Sequence, residues 1–121
     1  MFKDIDFFPG RITYNDLLID ESLPFEEQEF AYKEDLFQVS YNEKLILDIG
    51  WYPEFCHEGK FLIVIVKNYN WEEPLYEKTC NEIISLKILV KESQRIIKKL
   101  LLNKEDDFIC QNNQNKPYQK L

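Results

Sequence analysis

A chain of 121 residues with 45% hydrophobic and 15% aromatic side chains suits one domain burying about two thirds of its surface, which excludes a disordered class. Its longest apolar run, Phe61–Val66, falls far short of the roughly 20 residues that cross a bilayer. The opening MFKDIDFF carries acids where a signal peptide needs a continuous apolar stretch, so none is expected.

Phe2–Phe8 reads as a short strand closed by the Pro9-Gly10 turn. Thr13–Asp20 stays open between a helical turn and a strand, because Leu17, Leu18 and Ile19 fit either. Pro24 marks a boundary and a helix start, predicting a short acidic helix through Tyr32 with Phe25, Phe30 and Tyr32 on its apolar side. Leu36–Tyr41 and Lys44–Tyr52 flank Asn42-Glu43 as a hairpin. In the second strand Leu45, Leu47, Ile49 and Trp51 share one face, and Ile46, Asp48, Gly50 and Tyr52 share the other. Pro53 ends that strand, and His57-Glu58-Gly59 makes the next turn.

Phe61–Val66 shows no alternation, which predicts a central strand covered on both faces. The C-terminal helix supplies one cover, and Phe2, Ile5, Phe7, Phe8 and Ile12 are expected over the opposite face. Leu75–Thr79 is the last strand. Thr79-Cys80-Asn81-Glu82 has the form of a capping box. Ile83, Leu86, Val90, Ile97 and Leu100 then recur at helical spacing, widened by Ile84, Leu89 and Leu101. The helix is expected to end near Asn103, leaving a polar tail over 104–121 in which Phe108 and Ile109 are candidates for docking. The reading is a single α+β domain over 1–103. It has a mostly antiparallel sheet of about four to five strands packed against a long C-terminal helix.

Charge is laid down unevenly. Residues 1–82 hold seven Lys/Arg against eighteen Asp/Glu, net −11, whereas residues 83–121 hold eight against four, net +4. Asp20–Asp35 alone has seven acids and one lysine. Such a field repels nucleic acid and draws in a basic protein, although acidity also serves solubility. Cys56, Cys80 and Cys110 are odd in number and unevenly spaced, as expected of reduced thiols in the cytoplasm.

No motif for chemistry stands out. Cys56 and His57 are adjacent, so on an extended chain they point apart and cannot form a nucleophilic pair. Cys56, His57, Cys80 and Cys110 lack the close spacing of structural zinc ligands. Three glycines without a Gly-x-Gly leave no phosphate cradle, and no carboxylate pair suggests itself as an acid/base dyad. The expectation is a protein with no catalytic residues, no cofactor and no metal. Trp51 belongs to the core by parity, and Tyr52, with Asp48 and Glu54 close by, is the better surface candidate. Trp71, in Asn68-Tyr-Asn-Trp-Glu-Glu73, is either a lid on the core or a partner anchor.

Leu23–Phe55 and Gly59–Leu75 carry three notable elements: Lys33-Glu-Asp-Leu-Phe-Gln-Val39, Leu47-Asp-Ile-Gly-Trp-Tyr-Pro53 and Asn70-Trp-Glu-Glu-Pro-Leu75. Across roughly residues 23–90 the chain resembles small immunity proteins of bacterial contact-dependent growth-inhibition and related polymorphic-toxin systems. These are signatures of a scaffold and not of a catalyst. The resemblance implies a cytoplasmic, stoichiometric inhibitor that binds a cognate toxin domain, commonly a nuclease with a basic cleft, and blocks its active site or substrate cleft. The expected contact surface is Asp20, Glu21, Glu26, Glu27, Glu29, Tyr52, Glu54, Glu58, Trp71, Glu72 and Glu73. The alternative is an adaptor or regulatory subunit that uses the same surface on a basic partner other than a toxin.

Overall fold

The computed structural model describes residues 1–42 and 44–113, with side chains through Leu102. Five strands follow one another in chain order: β1 (Arg11–Asn15), β2 (Phe37–Tyr41), β3 (Leu45–Tyr52), β4 (Lys60–Lys67) and β5 (Tyr76–Cys80). Each pairs antiparallel with its neighbour in one β1-β2-β3-β4-β5 sheet. Helix α1 (Ile83–Asn113) closes the chain. This is the expected α+β arrangement, with its sheet packed on a C-terminal helix.

Parity sorts the side chains as the alternation of β3 predicts. Phe37, Val39, Leu47, Ile49, Trp51, Phe61, Ile63 and Ile65 form one buried cluster with Leu86, Val90 and Ile97 of α1. Tyr41 belongs to it too, donating its hydroxyl to Gln94 Oε1 at 2.7 Å, a bond that satisfies a buried amide. Burial pushes that phenol up to about 12.

The N-terminal segment departs from expectation. Phe2–Phe8 is not a strand; its chain turns at Ile5 N–H to Phe2 C=O and at Gly10 N–H to Phe7 C=O. Phe2 and Phe7 both pack on Phe37, centroids 5.2 and 5.3 Å away, so the segment covers the same face as α1. The reason is width. Five strands at ~4.8 Å spacing span about 19 Å, whereas one helix covers about 10 Å. Helix α1 contacts β4 and β5, and the N-terminal residues extend the cover over β2. Ile12, also expected as cover on the opposite face, stands half exposed on edge strand β1.

No described helix or strand lies on that opposite face. Its centre is a small cluster of Ile46, Val64 and Val66 with half-buried Leu62. Thr13 donates to Gln38 Oε1 at 3.1 Å, and Gln38 donates to Asp48 Oδ1 at 3.2 Å, forming a polar row across β1, β2 and β3.

The acidic helix expected over Pro24–Tyr32 is instead two 3-10 turns, Phe25–Glu27 and Glu29–Ala31. Their period of three turns Phe25, Gln28 and Ala31 inward and leaves Phe30 half exposed. Buried Gln28 closes the preceding loop, accepting from Asp20 N–H and donating to Asp20 C=O, both at 2.9 Å.

Thr79 still pairs with Leu62 inside β5, and the helix starts only at Ile83, so Thr79 is not the N-cap and the expected capping box does not form. Glu82 C=O instead accepts the first helical bond, from Leu86 N–H. Ile84 faces solvent and does not widen the core stripe. The helix continues past Asn103 because nothing from Lys104 to Asn113 is proline or glycine. The side chains of Phe108, Ile109 and Cys110 and the backbone of the tail from residue 114 lie outside the described residues, as does Glu43 of the hairpin turn. Lys87 and Lys91 bridge to Glu21 and Asp4, linking the helix to the acidic N-terminal segment. Among the described residues no helix is long and apolar enough to cross a membrane.

Candidate functional site

All eleven residues of the expected contact surface are exposed, but the structure divides them. Tyr52, Glu54 and Glu58 lie where the chain leaves β3, whereas Trp71, Glu72 and Glu73 lie in the β4–β5 turn. Strand β4, eight residues long, separates the two ends by about 23 Å at ~3.3 Å per residue. Two of the acids have local work. Asp20 accepts from the amide and hydroxyl of Ser22 at 3.0 and 2.6 Å, and Glu21 is bridged to Lys87. Glu26 and Glu29 stand beside the Tyr32 phenol, which burial and then their charges raise above its ordinary value.

The β3 exit is built from the core outward. Trp51 packs on Tyr32 in a stack of 4.8 Å and edge-on to Phe61 at 4.9 Å. Its indole Nε1–H reaches past the core to Cys56 C=O at 2.6 Å. The same carbonyl accepts from Gly59 N–H at 2.9 Å, and Phe55 N–H donates to Tyr32 C=O at 2.7 Å. Gly59 is compulsory here: a Cβ would lie 2.5 Å from Tyr52 C=O and 2.7 Å from Trp51 Nε1.

Beside this loop the chain entering β2 bulges. Trp51 N–H donates to Lys33 C=O and Leu36 N–H to Ile49 C=O, so four residues of one strand oppose three of the other and Glu34-Asp35 bows out. The bulge needs Gly50, where a Cβ would stand 1.9 Å from Glu34 C=O. It exposes both acids and brings Glu34, Asp35, Asp48 and Glu54 around Tyr52. Burial first, then those four charges, raise the Tyr52 phenol above its ordinary value. Burial also raises the Asp48 carboxyl, opposed by the bond from Gln38 and assisted by Asp35. Among the described residues none of these four carboxylates is in an ion pair. Of the neighbouring cations, Lys33 is held by Asp16 at 2.6 Å, and Lys60 stands opposite Tyr52 in the ladder.

Sequence reasoning placed Asp48 and Glu54 beside Tyr52 but missed Glu34 and Asp35, and it missed Phe55. Phe55 sits at the third position of a turn closed by Cys56 N–H on Pro53 C=O at 3.3 Å. Its φ of +61° is the value for which such turns favour glycine or asparagine. A bulky side chain there costs roughly 1–3 kcal/mol, yet the residue is 70% exposed. No sequence signal marks this; Pro53 two residues earlier announces a turn but not its hand.

Two cavities lie apart from the carboxylates around Tyr52. A cavity of about 260 Å³ beside β1 is lined mostly by Met1, Phe2, Ile5, Phe7, Leu17 and Phe37, and one of about 170 Å³ near the hairpin turn has Lys44 and Lys67 at its wall. Asp48 lines neither. Cys56 and Cys80 are free thiols, and His57 is exposed. Among the described residues no three His, Cys, Asp or Glu side chains are grouped to hold a metal ion.

The class defined by this architecture is an α+β domain, a five-strand antiparallel meander carrying one C-terminal helix. A scan against family models finds no match, and comparison with curated proteins and solved structures finds none either.

Proposed function

We propose that this protein is a stoichiometric inhibitor that binds a basic protein, in the manner of an immunity protein neutralising a cognate bacterial toxin domain. The observation that carries the reading is the β3 exit. There Tyr52 stands among Glu34, Asp35, Asp48 and Glu54 with no described cation paired to any of the four acids. Carboxylates held this way occupy the places that phosphates would take in a nuclease cleft, so a toxin of that class is the favoured target. The function requires no cofactor and no turnover. Its predicted electrostatics favour fast, salt-sensitive association over raw affinity. The resemblance to immunity proteins supplies the toxin; the acids supply only the sign of its surface.

The test is co-expression with the C-terminal domain of the protein encoded immediately upstream. Restored growth and a one-to-one complex on co-purification support the reading. Toxicity without rescue, or rescue without a complex, sinks it for that pair.

A further inference from the structure

We propose that the Phe55 ring is the anchor of the interface, entering an apolar pocket bordered by arginine or lysine on the basic partner. The proposal rests on the protein-binding reading above and names the contact within it. Three independent observations carry it.

Phe55 is exposed where the fold gains little from its ring, at a φ of +61° that a smaller residue would adopt with less strain. For folding alone, glycine or asparagine is the better choice at this position. The loop holding it is also preorganised. The Trp51 indole, the Tyr32 carbonyl and the cramped seat of Gly59 fix Phe55 and Cys56 from beneath, so little backbone freedom remains to be lost on docking. Finally, Glu54 precedes Phe55 in the turn, and Glu34, Asp35 and Asp48 stand with it around Tyr52, three residues back, where the opposing β4 residue is Lys60. An aromatic side chain flanked by polar residues is a common binding anchor, and the excess of carboxylates on this side selects a basic border.

The test places a photo-crosslinking phenylalanine analogue at position 55, and separately at 69 and 84, in the full chain inside the cell that encodes it. The adduct is identified by mass. The captured protein is then purified and titrated with the native, Phe55→Ala and Phe55→Gly chains, and thermal melts are recorded for each. We expect an adduct from position 55 and none from 84. Affinity should fall at least about thirtyfold for both variants, the ratio that corresponds to about 2 kcal/mol. The Gly variant should melt no lower than the native chain. An adduct from 69 or 84 with native affinity for Phe55→Ala overturns the proposal while leaving a protein-binding function intact. No adduct from any position overturns both. A clear drop in melting temperature for Phe55→Gly shows that the ring holds the fold together, and also overturns the proposal.

Discussion

Each end of the sheet presents an exposed aromatic residue in the left-handed region: Phe55 where the chain leaves β3, and Tyr69 in the turn from β4 to β5, both at φ +61°. Their seats differ. Tyr69 follows Asn68, also at positive φ, in a two-residue reversal closed by Asn70 N–H on Lys67 C=O at 3.1 Å. The turn demands that geometry of whatever residue stands there. Its described hydrogen bonds are all backbone to backbone, and its flanks carry Lys67 as well as Glu72 and Glu73. At the β3 exit a core tryptophan donates directly into the loop, and acids crowd around Tyr52. The lesson is that exposure alone does not single out a contact; rigid fastening and a local excess of one charge do.

Mutating the fastening should separate the ends most strongly. Trp51→Ala removes a tryptophan that is only 2% exposed and should destabilise the fold by about 3–5 kcal/mol in chemical denaturation. Trp51→Phe keeps most of the packing but leaves Cys56 C=O without its indole donor. A cost of about 1–3 kcal/mol is expected, with faster hydrogen exchange at Phe55 and Gly59 and little change at Asn70 and Leu75. Equal acceleration at both ends would show that the indole bond does not hold the loop.

Gly50→Ala comes next. Its Cβ would collide with backbone at Glu34, for an expected loss of about 1–3 kcal/mol. Exchange should rise at Leu36 and Trp51, whose amides bracket the bulge, and the bulge acids should lose their place beside Tyr52. Among charge changes, Glu34→Lys with Glu54→Lys should slow association with a basic partner more than Glu72→Lys with Glu73→Lys, a gap that closes at high salt. Equal slowing would argue that only total charge matters.

The smallest effect is set by Asp48. Its folded value is raised above the ordinary 3.8, so the native chain binds this proton more tightly than the unfolded chain does. The contribution therefore favours folding on the acid side and is lost as pH rises through the folded value. Asp48→Asn keeps an acceptor for Gln38 without the charge. Its melting temperature should exceed that of the native chain at neutral pH, and the two should converge below the ordinary value. A basic partner would draw the same carboxyl back down, so binding should weaken on acidification for the native chain and less for the variant.

Local periodicity made much of the fold legible. The alternation in β3 put Trp51 inside and Tyr52 outside, and the hairpin of β2 and β3 and the spacing of Leu86, Val90 and Ile97 were all readable from neighbouring residues. Each depends on repeats of two or 3.6 residues that the local chain itself carries. The apolar run of β4 was readable as a strand, but not which element would cover it.

What only the tertiary structure decided is what depends on distant segments meeting. The N-terminal segment joins α1 on one face because a single helix is narrower than five strands. Glu34 and Asp35 reach Tyr52 because Gly50, sixteen residues beyond Glu34, leaves room for a carbonyl. Phe55 faces solvent because Trp51 and Tyr32 hold its loop from inside. The sequence by itself determined β2 to β5, the C-terminal helix and the inward side of the hairpin, since those follow from backbone geometry repeated along the chain; β1, the turns of the N-terminal segment and the two 3-10 turns do not. Within the candidate site Asp48, Tyr52, Glu54 and Phe55 are local neighbours. The approach of Glu34 and Asp35 and the hold of Tyr32 on the loop join residues far apart in the chain, and periodicity does not encode them.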